Sequence, residues 1–117
     1  MQIQRHGTTR RYSDSVVHNG TVYLVEVPSN LEGDATAQTE NLLAEIDRLL
    51  EQAGSNRSKL LIVTIYLADM ADYDAMNAVW DAWVPAGQAP TRACVQARLA
   101  NPGFRVEMAV TAAVAQG

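Results

Sequence analysis

The sequence predicts an α+β domain in which a mixed β-sheet carries two helices on one face. Three observations carry that prediction. An Asn-Gly pair sits between two short β-type runs near the N-terminus, two later stretches repeat apolar residues at helical spacing, and the run L-L-I-V-T-I-Y-L from Leu60 is apolar on both faces. The resulting order is β-β-α-β-α-β-β over one domain spanning residues 1–117.

From Ser13, S-D-S-V-V-H-N-G-T-V-Y-L-V-E-V reads as two strands joined at His18-Asn19-Gly20-Thr21, because Asn-Gly tolerates the positive φ of a tight hairpin turn. Pro28, Ser29, Asn30, Gly33 and Asp34 then break the pattern. Leu42, Leu43, Ile46, Leu49, Leu50 and Ala53 recur on one helical stripe, which predicts a helix from about Thr36 to Ala53, capped by Asp34 or Thr36 and ended by Gly54. The Leu60 run is rich in β-branched residues and reads as an interior strand covered on each side. A second helix is expected to start at Asp72 as its cap, to present Tyr73, Met76, Trp80, Trp83 and Val84 on one stripe, and to stop at Pro85 and Gly87. Two strands follow, from about Arg92 to Leu99 and from about Phe104 to Val114, separated by the turn Ala100-Asn101-Pro102-Gly103. In the first, Arg92, Cys94, Gln96 and Arg98 alternate with Ala93, Val95, Ala97 and Leu99. Two helices cover only one sheet face, so another copy of the chain is expected on the other, closing a symmetric oligomer.

Composition narrows the functional classes. The chain has 117 residues, 48% of them hydrophobic, enough for one core. Its 9 Lys+Arg against 13 Asp+Glu give a formal charge of −4 without any basic run, which argues against nucleic acid as a partner. A lone cysteine, Cys94, forms no internal disulfide and reads first as a small buried hydrophobe. Two histidines without companion cysteines make no zinc spacing, so no metal is expected. There is no signal-like leader and no apolar stretch of the ~20 residues that a membrane span needs. A cytoplasmic protein without membrane contact is the expectation.

The chemistry centres on Arg92, in A-P-T-R-A-C-V-Q-A-R-L, and Glu107, in F-R-V-E-M-A-V-T. If the two C-terminal strands pair as a hairpin around Ala100 to Gly103, both residues lie far from the turn and share one pocket, provided that they emerge on the same face. An arginine fork binds a carboxylate bidentately, and a nearby carboxylate orients or deprotonates a water. The plainer reading is a cross-strand surface ion pair, worth about 0.2–1 kcal/mol.

These blocks resemble the RidA/YjgF family of small Rid proteins, and in particular its YoaB-type branch. The stretches that carry the resemblance are H-N-G-T-V-Y-L, Q-T-E-N-L-L-A-E-I-D-R-L-L, A-G-S-N-R-S-K-L-L, T-I-Y-L-A-D-M-A-D-Y, M-N-A-V-W-D-A-W-V, A-P-T-R-A-C-V-Q-A and R-V-E-M-A-V-T-A-A, in family order from about Arg11 to Val114. The resemblance implies a chorismate-mutase-like fold, assembled as a homotrimer around a central barrel with a pocket at each subunit interface. It further implies hydrolytic deamination of 2-enamine and 2-imine acids to 2-keto acids and ammonia, without metal or organic cofactor. On the same footing Arg92 grips the substrate carboxylate, the backbone at Cys94 faces the ligand, and Glu107 positions the attacking water. Tyr12 and Asn77 correspond to pocket-lining positions, although Asn77 could instead hold the second helix by hydrogen bonding.

One position departs from the pattern. Where the family usually has S-G or T-G, this chain has Val25-Glu26, and Glu26 is expected to narrow the pocket or to add negative charge beside Arg92, unless it points to solvent at the rim or serves as an added base. Trp80 and Trp83 read as core packing, His18 as a solvated turn residue, and Asp69, Asp72 and Asp74 as helix-start acids.

Overall fold

The computed structural model describes residues 2–114. In chain order the elements are β1 (Gln4–His6), β2 (Ser15–His18), β3 (Thr21–Glu26), α1 (Ala35–Gln52), β4 (Leu60–Leu67), α2 (Tyr73–Trp83), β5 (Thr91–Gln96) and β6 (Val106–Ala113). Short 3-10 turns at Arg57–Lys59 and Met70–Asp72 lead into β4 and α2. All strands join one mixed sheet in the order β1-β2-β3-β6-β4-β5. Both helices pack on one face, as expected; β1 is an additional edge strand.

The local signals account for most of these elements. Asn19 and Gly20 take φ of 57° and 75°, so the β2–β3 hairpin closes on a two-residue turn with His18 opposite Thr21. The Asp34 carboxylate accepts from the Ala37 amide at 2.9 Å and starts α1, which ends at Ala53 before Gly54 with φ of 83°. Leu42, Leu43, Ile46, Leu49 and Leu50 of α1 are buried against Val22 and Leu24 of β3, Val63, Ile65 and Leu67 of β4, and Val106, Met108 and Val110 of β6. Truncating any one of these leucines to alanine costs about 2–5 kcal/mol. Met76, Trp80 and Trp83 of α2 complete this core, with the two indoles 5.6 Å apart.

Two expectations are corrected. Asp72 precedes α2, but its side chain caps nothing; its backbone (φ −85°, ψ 1°) already turns within the 3-10 segment, and its carboxylate takes Arg105 at 3.3 Å instead. Asp69 caps the 3-10 turn, accepting from the Ala71 amide at 2.8 Å. The larger correction concerns β5 and β6, which do not pair. The β4–α2–β5 segment is a β-α-β unit, whose crossover helix sets β5 parallel to β4 on the sheet edge. β6 returns antiparallel to β4 on its other side. The end of β4 marks the separation: the Leu67 carbonyl accepts from Ala97 while the Ala68 amide donates to the Arg105 carbonyl, both at 3.0 Å. Regular pairing in β5 also stops at Gln96 rather than Leu99.

The face away from the helices is open in the single chain. Tyr23, Val25, Ile62 and Val95 are exposed there, at 44–52% of their surface. β4 is thus interior to the sheet but covered by helices on one face alone.

Candidate functional site

Strand register decides where the site residues go. Arg92 is paired with Val63, and Val63 with Val110, both buried under the helices. Glu107 is paired with Tyr66, which belongs to the alternate set of β4 residues. Side chains alternate along a strand, so Arg92 emerges on the helix face and Glu107 on the open face. Within one chain they share no pocket, and the cross-strand ion pair is excluded with it.

On the helix face Arg92 reaches over α2. Its Nη1 donates to Asn77 Oδ1 at 2.7 Å and its Nη2 to the Tyr73 hydroxyl at 3.3 Å. The guanidinium carbon stands 5.4 Å from the Trp80 ring centre and 6.0 Å from that of Tyr73. No carboxylate of the described residues forms an ion pair with it. The result is a half-buried cation whose hydrogen-bond partners are all neutral. Cys94 shares this face beside Arg92 and is partly rather than fully buried. Burial pushes its thiol pKa up, and the Arg92 charge pulls it back only in part, so the thiol stays protonated near neutral pH.

On the open face Glu107 lines a cavity of about 310 Å³ with Val25, Tyr66, Arg98, Leu99 and Ala109. Tyr12 is exposed on the loop entering β2, next to Ser13, which lines a neighbouring groove on this face with Tyr23, Ile62 and Thr111. The candidate residues therefore divide. Arg92, Cys94 and Asn77 form one set at the β5 edge, and Glu107 lies on the opposite face. Tyr12 is separated from β5 by most of the sheet's width.

Glu26 belongs to neither set. It pairs with Met108 and so points to the helix face, beyond the far flank of α1 from Arg92. There it lines a recess with Asp14, Asn41, Glu45 and Arg48. Burial raises its pKa, with Glu45 and Asp14 adding repulsion, while a bond from the Val27 amide at 3.3 Å and the Arg48 charge oppose the rise. It therefore neither sits beside Arg92 nor enters the Glu107 cavity in the chain; Val25 is the neighbour that enters it.

Sequence reading missed two residues. Tyr73 and Trp80 pack on the core stripe, as the sequence predicts, but with Asn77 they also stand at positions i, i+4 and i+7 of α2 and together hold the guanidinium. That spacing around a polar Asn77 was the available signal. Among the described residues no cluster of His, Cys, Asp and Glu is arranged to hold a metal ion, and no helix is long and apolar enough to cross a membrane.

Comparison with known proteins gives a consistent picture. The chain is 54% identical over 114 residues to the RutC family protein YoaB of Escherichia coli K12, covering 97% of this chain and all of the relative. It is 44% identical to a RutC family protein of Haemophilus ducreyi, over 96% of this chain and 97% of that one. The crystal structure of NMB1025, a member of the YjgF protein family from Neisseria meningitidis, superposes with a TM-score of 0.96 at 50% identity, covering 100% and 98% of the two chains. A conserved Rid family protein, YyfA of Yersinia pestis, gives a TM-score of 0.84 at 26% identity over 92% and 90%. With the family described as endoribonuclease L-PSP matching residues 2–114, on a fold shared with these relatives, the chain belongs to the YjgF/RidA family.

Proposed function

We propose that this protein hydrolyses 2-enamine and 2-imine acids, such as 2-iminopropanoate and 2-iminobutanoate, to 2-keto acids and ammonia in the cytoplasm. The observation that carries the reading is Arg92: a half-buried guanidinium, oriented by neutral groups and unpaired with any acid among the described residues. Such a cation leaves its charge for a ligand carboxylate, which it binds as a fork.

The water-activating group must come from elsewhere, because Glu107 is on the other sheet face. A homotrimer answers this: the open apolar face is covered by neighbouring copies, and Glu107 of one copy completes the pocket built on Arg92 of the next. There Glu107 takes a proton from water as the oxygen bonds to the C=N carbon. Glu107 returns that proton to the nitrogen, giving the carbinolamine; the hydroxyl proton then passes by way of Glu107 to the nitrogen as the C–N bond breaks, releasing ammonia and the 2-keto acid. Asn77 and the Cys94 backbone line that pocket from the copy that supplies Arg92, and Tyr12 lines it from a neighbouring copy; the residues require no metal or organic cofactor for this step.

A second reading is favoured by the same division of residues. Binding a small carboxylate or 2-keto acid without turnover needs only the Arg92 set, which one chain holds complete. An RNA-cleaving reading, prompted by the family's description, meets a chain of net charge −4.

The test is hydrolysis of freshly generated 2-iminopropanoate and 2-iminobutanoate by wild type, Arg92→Ala and Glu107→Gln. Turnover that both variants lose, with 2-oxobutanoate still bound by Glu107→Gln, supports the deaminase. Binding of 2-oxobutanoate by wild type without imine turnover selects the second reading. Cleavage of RNA at low salt with neither activity overturns both.

A further inference from the structure

We propose that Tyr73 and Trp80 are positioning residues for Arg92, forming with Asn77 a neutral aromatic cradle that presents the guanidinium to a planar carboxylate. The inference rests on the reading that Arg92 takes the ligand's carboxylate, and adds what prepares it to do so.

An arginine on an edge strand has a long, rotatable side chain, and ordering it at the moment of binding weakens the complex. Here the ordering precedes the ligand. Asn77 Oδ1 holds Nη1 at 2.7 Å, the Tyr73 hydroxyl holds Nη2 at 3.3 Å, and the Trp80 ring lies 5.4 Å from the guanidinium carbon. Each terminal nitrogen keeps a second N–H, and Nε–H is uncommitted, so donors for a bidentate partner remain. The choice of holders matters as much as their geometry. An aspartate at either position would orient the group equally well but cancel its charge; an amide, a phenol and an indole face orient it and leave the charge for the ligand. All three come from one face of α2, and Trp80, only 4% exposed, anchors that face in the core.

Because the same contacts serve ground and transition states, loosening them should raise KM and spare kcat. Tyr73→Phe removes one hydroxyl from a partly buried ring and is expected to raise both KM for 2-iminobutanoate and Kd for 2-oxobutanoate by roughly three- to tenfold, with kcat within about twofold. Trp80→Leu should raise them at least as much, and Trp80→Phe, which restores an aromatic face, should recover most of the loss. Trp83→Phe is the control for general loosening of the core: Trp83 touches Trp80 but stacks on Arg57 instead, so its variant should melt earlier and bind as wild type does. Unchanged KM and Kd in Tyr73→Phe, or equal losses in the Trp80 and Trp83 variants, overturn the proposal. Arg92→Ala separates the two levels: if it binds 2-oxobutanoate like wild type, the carboxylate reading itself fails and the cradle with it. If it loses binding while Tyr73→Phe and Trp80→Leu do not, the cradle alone fails.

Discussion

Two arginines stand over two touching tryptophans, and their surroundings differ in one respect. Arg57 lies 5.0 Å from the Trp83 ring centre and is paired with an acid: Nε and Nη2 donate to Asp47 at 3.2 and 2.6 Å, and Nη1 donates to the Trp83 carbonyl at 3.0 Å. The Trp83 indole N–H also donates to Asp47, at 3.1 Å, so the cluster ties the end of α2 to α1. Arg92 lies over Trp80 in similar geometry, but only the neutral Asn77 and Tyr73 hold it. The protein neutralises the cation it uses to join helices and leaves uncompensated the one at the candidate site. Aromatic stacking alone therefore does not distinguish the two arginines; the missing acid does.

The largest expected effect comes from removing the unpaired member. Arg92→Ala should lower kcat/KM for imine hydrolysis by at least about a hundredfold, while thermal unfolding stays near that of wild type. An equal loss on Arg57→Ala, assayed where both variants are folded, would break the distinction. The next test separates the two arginines by assembly. Ile62→Glu places a charge on the open sheet face, opposite the face that carries Arg92, and should reduce the particle to single chains by sedimentation. Turnover should vanish with the assembly, because Glu107 of a neighbouring copy is then absent, while the helical circular dichroism signal persists.

A smaller effect is expected at the compensated pair. Asp47→Ala leaves Arg57 without its acid and Trp83 without its acceptor, in a half-exposed setting, at a cost of about 1–3 kcal/mol in denaturant unfolding. KM should not move. The smallest concerns Glu26, a third charged group, whose neighbours only partly offset its burial. Its folded-state pKa is raised, so its ionisation opposes folding: its contribution is most favourable below the ordinary carboxylate pKa and is lost as pH rises through the raised value. Glu26→Gln should therefore gain stability relative to wild type near neutral pH, and the gain should shrink toward pH 4. A difference between the two proteins that grows on acidification would reverse this assignment.

The local elements were legible because the forces that make them act over a few residues. Asn19-Gly20 needs positive φ wherever it occurs in a tight hairpin, Asp34 caps whatever helix follows it, and the α1 stripe of leucines repeats at 3.6 residues in any context. The alternation of β5 was readable in the same way, and it put Arg92 and Cys94 on one face, where the structure has them. Together these signals gave the α+β class, two helices on one sheet face and an uncovered opposite face. The sheet order was not legible, because strand pairing is settled between segments far apart in sequence. The turn at Ala100–Gly103 invited a β5–β6 hairpin, but β4 has hydrogen-bonding edges on both sides and takes one strand on each. Buried Gln38 helps hold that outcome: its side chain donates to the Gly103 carbonyl at 2.9 Å and accepts from the Arg105 amide at 2.8 Å, pinning the entry to β6 against α1. Once β4 lies between them, register sends Arg92 to the helices and Glu107 to the open face. Sequence by itself thus determined which residues are the candidates for the chemistry and which strands they ride on. Tertiary structure alone decided that one chain keeps them apart, because the face a side chain occupies depends on its partner strand, and that partner is chosen by packing at a distance.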